Sequence, residues 1–221
     1  TARQYVRHGC DEGGFSYEGT GYGHAMFAYV YLLAQLVTQG GFRNLFADEP
    51  LLERLPDASQ HMLLDDHSFA ATTNDHGIFE PWSLWWLPLT AAHYNRPDHR
   101  GLWHAFQGPD HPVRPYGDIW PWFAALRGPA DSHTLEEKPD PSLFATFLWW
   151  DAEAPVRPIA ASPLPTAQCA EGTGTATFRT SWKPGGVFAA MLGAGRSHTC
   201  FGHAHLDCGH FDLSAFGEYL A

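Results

Sequence analysis

The chain has 221 residues, 44% of them hydrophobic, with 24 acidic against 13 basic side chains and a formal charge of −11. That length and apolar content suffice for one or two domains with a real core. The acidic balance argues against nucleic acid as a partner, and no apolar run is long enough to predict a membrane span.

The first residue is Thr1 rather than Met, and residues 217–220 read as a strand with no turn to finish it. Both features predict a fragment of a longer chain. No signal peptide is visible in it. The charge also sits awkwardly with a polyanionic substrate unless the site itself is locally positive.

The first segment with chemical content is Asp11-Glu12-Gly13-Gly14-Phe15-Ser16-Tyr17-Glu18-Gly19-Thr20-Gly21-Tyr22-Gly23-His24. A glycine-rich loop entering a helix lets the backbone approach a ligand closely. Its spacing matches neither a Walker loop nor a dinucleotide fingerprint, so phosphate is not the expected ligand. Tyr22 stands at the mouth of the helix, where a phenol can give a proton to a sugar oxygen or take one from it. The plainer alternative, favoured on spacing alone, is a capping loop whose tyrosine packs.

Helical periodicity follows over 22–38, where Met26, Phe27, Val30, Leu33, Leu36 and Val37 recur at three- and four-residue intervals before Gly40-Gly41 stops the run. A second helix is expected over 51–64, with Pro56 as a kink or boundary. The polar cluster from His67 to His76, with Asp65, Asp66, Asn74 and Asp75, reads as a solvated turn in preference to a metal or substrate loop. Further helices are expected at 82–94, 100–106, 119–126 and 143–150. Trp82, Trp85, Trp86, Trp120, Trp122, Trp149 and Trp150 are read mainly as core, with one or two free to stack on sugar rings.

The pattern then changes. Residues 1–152 read as a helical domain, 153–170 as a proline-rich linker, and 171–221 as the opening strands of an antiparallel β domain. Strands are expected at 174–182, 187–192, 203–207, 211–215 and 218–220, with a turn near Phe216-Gly217. The fold class is therefore α+β and multidomain. Successive helix pairs would suit an α/α toroid, although no sequence repeat is present.

Residues 203–212 concentrate three histidines and two aspartates in ten positions. On a strand, alternate residues share a face, so His203, His205 and Asp207 project together. Imidazoles at i and i+2 suit zinc, yet two ligands do not make a site. The alternative is hydrogen-bonded polar residues on an exposed strand. Cys200 and Cys208 bracket the pair, but no CxxC spacing is present, and the four cysteines read as small buried thiols.

Taken in order, these segments resemble the heparinase II/III-like polysaccharide lyases, a family that includes the oligoalginate lyases. The resemblance rests on the Asp11–Tyr22 loop with Glu18-Gly19-Thr20-Gly21-Tyr22, then Arg179-Thr180-Ser181-Trp182, His203-Ala204-His205-Leu206-Asp207, Phe211 and Gly217-Glu218-Tyr219-Leu220-Ala221. It implies the later section of an α/α toroid followed by the start of a β-sandwich. It also implies β-elimination on a uronic-acid-containing polysaccharide of the alginate or glycosaminoglycan type, and a periplasmic or secreted location.

Residue by residue, Tyr22 matches the family's catalytic tyrosine and His203 the histidine facing substrate. Glu18 and His24 fall at substrate-binding positions, and His205 matches a ligand of a structural zinc. The family's Asn/His pair would lie before Thr1, and the remaining zinc ligands beyond Ala221. His24 stands where relatives often carry Arg. Two rivals remain open at this point: a uronyl C5-epimerase on the same scaffold, and a non-catalytic glycan-binding or structural zinc module. A hydrolase with paired carboxylates is disfavoured, because no motif places two acids for it.

Overall fold

A computed structural model describes residues 2–67, 70–71, 73, 86–107, 148–149, 151–193 and 208–221. It contains helices followed by one antiparallel sheet, so the chain is α+β. The helices are α1 (Ala2–Gly9), α2 (Gly19–Gln39), α3 (Leu45–Asp48), α4 (Leu51–His61), α5 (Leu87–Tyr94) and α6 (Pro97–Gln107). The strands are β1 (Ala167–Ala170), β2 (Thr175–Arg179), β3 (Val187–Leu192), β4 (Phe211–Ala215) and β5 (Glu218–Tyr219), paired in chain order. The helices expected at 119–126 and most of 143–150, and the strand expected at 203–207, lie outside the described residues.

α2 is apolar on every side, and its periodicity misjudges the buried face. The core side is His24, Phe27, Tyr31 and Ala34, whereas Leu33 and Leu36 are exposed. A helix with no polar stripe carries no signal of which way to turn. Gly40 and Gly41 end it: their N–H groups donate to Leu36 O and Thr38 O, and Phe42 N–H to Val37 O.

α4 runs straight through Pro56 instead of breaking there. Proline cannot donate to the carbonyl four residues back, that of Leu52. The Tyr31 hydroxyl donates to this oxygen instead, so α2 repairs the gap in α4. Tyr31 also stacks on Trp86 with ring centroids 4.7 Å apart. Around this pair lie Val6, Phe27, Val30, Phe46, Leu52, Leu55, Leu87, Leu102 and Trp103, the main core.

The last residues of the stretch read as linker, 167–170, form β1, which pairs with β2 from Ala167↔Phe178 to Ala170↔Thr175. Ala-Gln-Cys-Ala has no strand signature of its own, and its pairing with β2 supplies the order. A second core seals the sheet against the helices: Phe15, Ala58, Met62, Leu64 and Ala71 meet Ala170, Phe188 and Ala190. Phe216 and Gly217 both have positive φ and turn β4 into β5, as the sequence predicts.

The inner sheet face is unusually polar, with Thr175, Thr177, Arg179, Asp212 and Ser214 buried. The outer face is apolar. Cross-strand rows Ala176–Met191–Phe211 and Phe178–Ala189–Leu213 run across it, and Phe178, Met191 and Phe211 are each more than half exposed.

Candidate functional site

The loop preceding α2 folds back on itself. Asp11 N–H donates to Phe15 O at 3.0 Å, Tyr17 N–H to Gly9 O at 2.9 Å, and Cys10 and Ser16 form an isolated bridge. Gly23 permits this, since a Cβ there would meet Ser16 Cβ at 2.5 Å. Loop and first helical turn are thus packed backbone to side chain. Thr20 fixes the turn further: its N–H donates to Thr73 Oγ1 at 3.0 Å, and its hydroxyl to Ala71 O at 3.3 Å.

Within that frame Tyr22 is 41% exposed. It is anchored by a rigid backbone yet open to solvent, which is what a surface proton donor needs. Glu18 caps the helix one turn earlier and is half-buried; its side chain makes no capping bond. His24 does not share the surface with Tyr22. It is 2% exposed, with Nε2 2.7 Å from Ser59 Oγ, and its ring lies among Phe27 and Trp86. Ser59 commits its proton to Leu55 O, so His24 carries a proton on Nε2 and donates it. Its position makes it a support on the buried face of α2.

The segment after α4, expected as a solvated turn, leaves Asp66 exposed but buries Asp65 and His67, and it clamps helices to sheet. Asp65 N–H donates to Ser214 Oγ at 3.0 Å, and Asp65 Oδ2 accepts the Gly217 N–H at 2.9 Å. Those partners lie about 150 residues away in sequence, beyond the reach of any local pattern. Asn74, Asp75 and His76 lie outside the described residues.

Arg179 reaches into the same place from β2. Its Nη2 donates to Leu63 O at 2.7 Å and His61 O at 3.3 Å, and its guanidinium lies 4.0 Å from the centre of the Trp182 ring. Burial pulls its pKa down to about 10. Burial, then the Arg179 charge, pushes His61 and His67 down to about 4, so both are neutral at physiological pH.

Among the described residues, Asp57, Asp98 and His99 each offer a ligand atom within 4.8 Å of the others. Arg96 already uses the same carboxylates. Its Nη2 lies 2.5 Å from Asp57 Oδ1 and 2.6 Å from Asp98 Oδ2, and Nε lies 3.0 Å from Asp98 Oδ1. A guanidinium placed there supplies the positive charge that a metal would supply. The buried-thiol expectation holds for Cys10, whose thiol pKa burial raises, but Cys169 and Cys208 are exposed. Cys200, His203, His205 and Asp207 lie outside the described residues.

The described chain does show where the histidine segment is attached. The β3–β4 ladder closes with Leu192 N–H to His210 O at 2.8 Å and Gly209 N–H to Leu192 O at 2.7 Å. Gly193 N–H also donates to Gly174 O at 2.7 Å. Gly193 and Gly209, described residues on either side of 194–207, therefore lie at the sheet end where β1 turns into β2.

No protein-family profile matches the sequence, and no curated protein does. Among solved structures, the crystal structure of heparinase III matches 99% of this chain with a TM-score of 0.60 at 12% identity. The fold is similar to that of heparinase III. A second solved structure, a heparinase III gene product, matches the same 99% with a TM-score of 0.55 at 14% identity. The chain spans 28% of the first heparinase III chain and 26% of the second. At these identities, the likeness to heparinase III is one of fold.

Three features were missed by sequence reasoning: the clamp at Asp65, the placement of Arg179 under the sheet, and the contact of Asp11 with the β1–β2 turn. Only Asp11 had a local signal, an aspartate two residues before Gly13-Gly14, the pattern of an aspartate accepting from nearby backbone.

Proposed function

We propose that the chain is part of a polysaccharide lyase acting on a uronic-acid-containing acidic polysaccharide or oligosaccharide, of the glycosaminoglycan or alginate type. The observation that carries this reading is one juxtaposition. The loop that delivers an exposed Tyr22 is docked at the sheet end where Gly193 and Gly209 lie, the described residues that flank the segment carrying His203 in the sequence. The heparinase III-like fold supports the same reading.

In the proposed reaction a base removes the C5 proton of the uronate. The electron pair forms the C4–C5 double bond, the C4–O4 bond breaks, and O4 leaves with a proton. Tyr22 protonates O4, His203 assists at the uronate, and Glu18 contacts substrate one turn away. His24, also matched to the substrate-binding set, acts from the buried face of α2. Neutralising the uronate carboxylate falls to groups outside this chain.

A structural zinc is assigned to His205, with its remaining ligands outside the chain. The group at Asp57, Asp98 and His99 is not that site, because Arg96 engages both carboxylates. The elimination uses no step at the metal.

The helical part, 1–152, belongs in this reading to an α/α toroid, with 153–170 the connection and 171–221 the first strands of a β-sandwich. The exposed outer-face side chains of Phe178, Met191 and Phe211 support the sandwich, since an apolar sheet face needs a second layer. We place the protein in the periplasm or outside the cell. No described helix is long and apolar enough to cross a membrane.

The test is ultraviolet absorbance from the C4–C5 double bond when the intact protein meets heparan sulfate or alginate. Tyr22→Phe is expected to lower kcat at least a hundredfold, the scale of a lost proton donor. Equal rates for the variant and its parent would remove Tyr22 from the mechanism.

A further inference from the structure

Asp11 performs two tasks with one carboxylate. Oδ1 accepts the N–H groups of Gly13 and Phe15 at 2.9 and 3.0 Å, which shapes the loop running into Tyr22. Oδ2 accepts from Thr173, from its hydroxyl at 3.1 Å and its N–H at 3.3 Å. Thr173 sits in the turn between β1 and β2, 162 residues later. Its hydroxyl also lies 3.0 Å from Thr175 Oγ1, and Gly174 O receives Gly193 N–H. A single buried carboxylate thus joins the tyrosine loop to the sheet end where β3 finishes.

The contact is close enough that its neighbour must be glycine. A Cβ on Gly172 would meet Asp11 Cβ at 2.4 Å and the Tyr17 hydroxyl at 2.8 Å. Turn and loop are therefore in van der Waals contact from both sides, and displacing either moves the other. Tyr22 is linked to this clamp through the loop backbone. It rides on the loop, through Ser16 against Gly23.

We propose that Asp11 is a positioning residue: with Thr173 and Gly172 it sets the register of the Tyr22 helix start against the sheet. This rests on the lyase reading for its effect on catalysis, and on the hydrogen bonds alone for the coupling. A group held about 1 Å from its productive place loses on the order of a hundredfold in rate, so partial loosening should cost roughly tenfold.

The experiment uses the intact protein with heparan sulfate or alginate, whichever it cleaves, four single variants and one double variant. Asp11→Asn keeps an oxygen for Gly13 and Phe15 but presents an amide to Thr173. Gly172→Ala wedges the turn away. Thr173→Val removes the hydroxyl, and Thr173→Ser restores it. The expected result is a roughly tenfold fall in kcat for the first three with KM within about twofold, and parent-like kcat for Thr173→Ser. Asp11→Asn and Gly172→Ala combined should fall no further than either alone.

Hydrogen exchange separates this inference from the lyase reading. Thr173→Val should speed exchange at the Gly13 and Phe15 amides, which it does not touch. If Tyr22→Phe retains full activity, the lyase role of Tyr22 falls and the coupling stands or falls on that exchange. Unchanged exchange in Thr173→Val overturns the inference. So does a lowered melting temperature with parent-like kcat in all three disrupting variants.

Discussion

Lowering the pH from 7 to 5 should weaken the fold through His61 and His67, and the size follows from their surroundings. Both are buried where helices meet sheet, and both fall from 6.5 to about 4. A depressed histidine pKa means the folded state resists the proton that the unfolded chain accepts. Stability is therefore complete above pH 6.5, declines as pH falls through 6.5, and stops declining near 4, where the folded protein also protonates. Between pH 7 and 5 the loss is about 2 kcal/mol per histidine, and about 3–4 kcal/mol for the two together.

Replacing His67 by Asn isolates half of this. Asn cannot titrate, and it tolerates the left-handed backbone at that position, φ 64°. Urea unfolding at pH 7 and pH 5 then compares parent and His67→Asn. His93, also lowered by burial, contributes equally to both proteins and cancels. The variant should lose about 2 kcal/mol less than the parent. Equal losses would refute the claim that His67 is held neutral by burial and by Arg179.

Other perturbations have defined magnitudes. Phe188→Ala, fully buried in the helix–sheet core, should cost about 3–5 kcal/mol in urea unfolding. Arg96→Leu leaves the carboxylates of Asp57 and Asp98 without their cation and should cost about 2–4 kcal/mol, because Asp57 retains some solvent. Zinc should raise the melting temperature of that variant by more than it raises that of the parent, whose response is confined to the zinc assigned to His205. Equal zinc responses in the two proteins would show that Arg96 does not hold the site. Phe178→Ala and Met191→Ala in the intact protein should each cost about 2–4 kcal/mol if a second sheet covers them. Costs within about 0.5 kcal/mol, typical of exposed positions, would remove the sandwich.

Elements with their own periodicity were readable from sequence. β3 and β4 match their expected ranges, and α2 and the Phe216-Gly217 turn fall where punctuation by glycine puts them. α1 and β1 were not anticipated. α1 lacks an apolar stripe of sufficient length, and β1 is ordered by its partner strand. Pro56 misled because its cost is met by Tyr31, a residue 25 positions earlier. For the candidate site, the loop and Tyr22 were visible as a motif. The clamps at Asp11, Asp65 and Arg179 reach across more than 100 residues, and no local pattern encodes their far partners. His24 shows the converse: a motif position marks a residue, but burial decides what it faces.

The most direct test of the lyase reading is the mass of the products. When the intact protein degrades a defined uronate-containing oligosaccharide, elimination adds nothing, so the two product masses must sum to that of the substrate. One of them must carry the unsaturated uronate. A sum heavier by one water would mean hydrolysis and would contradict the account. So would an uncleaved substrate that has taken up solvent deuterium at C5.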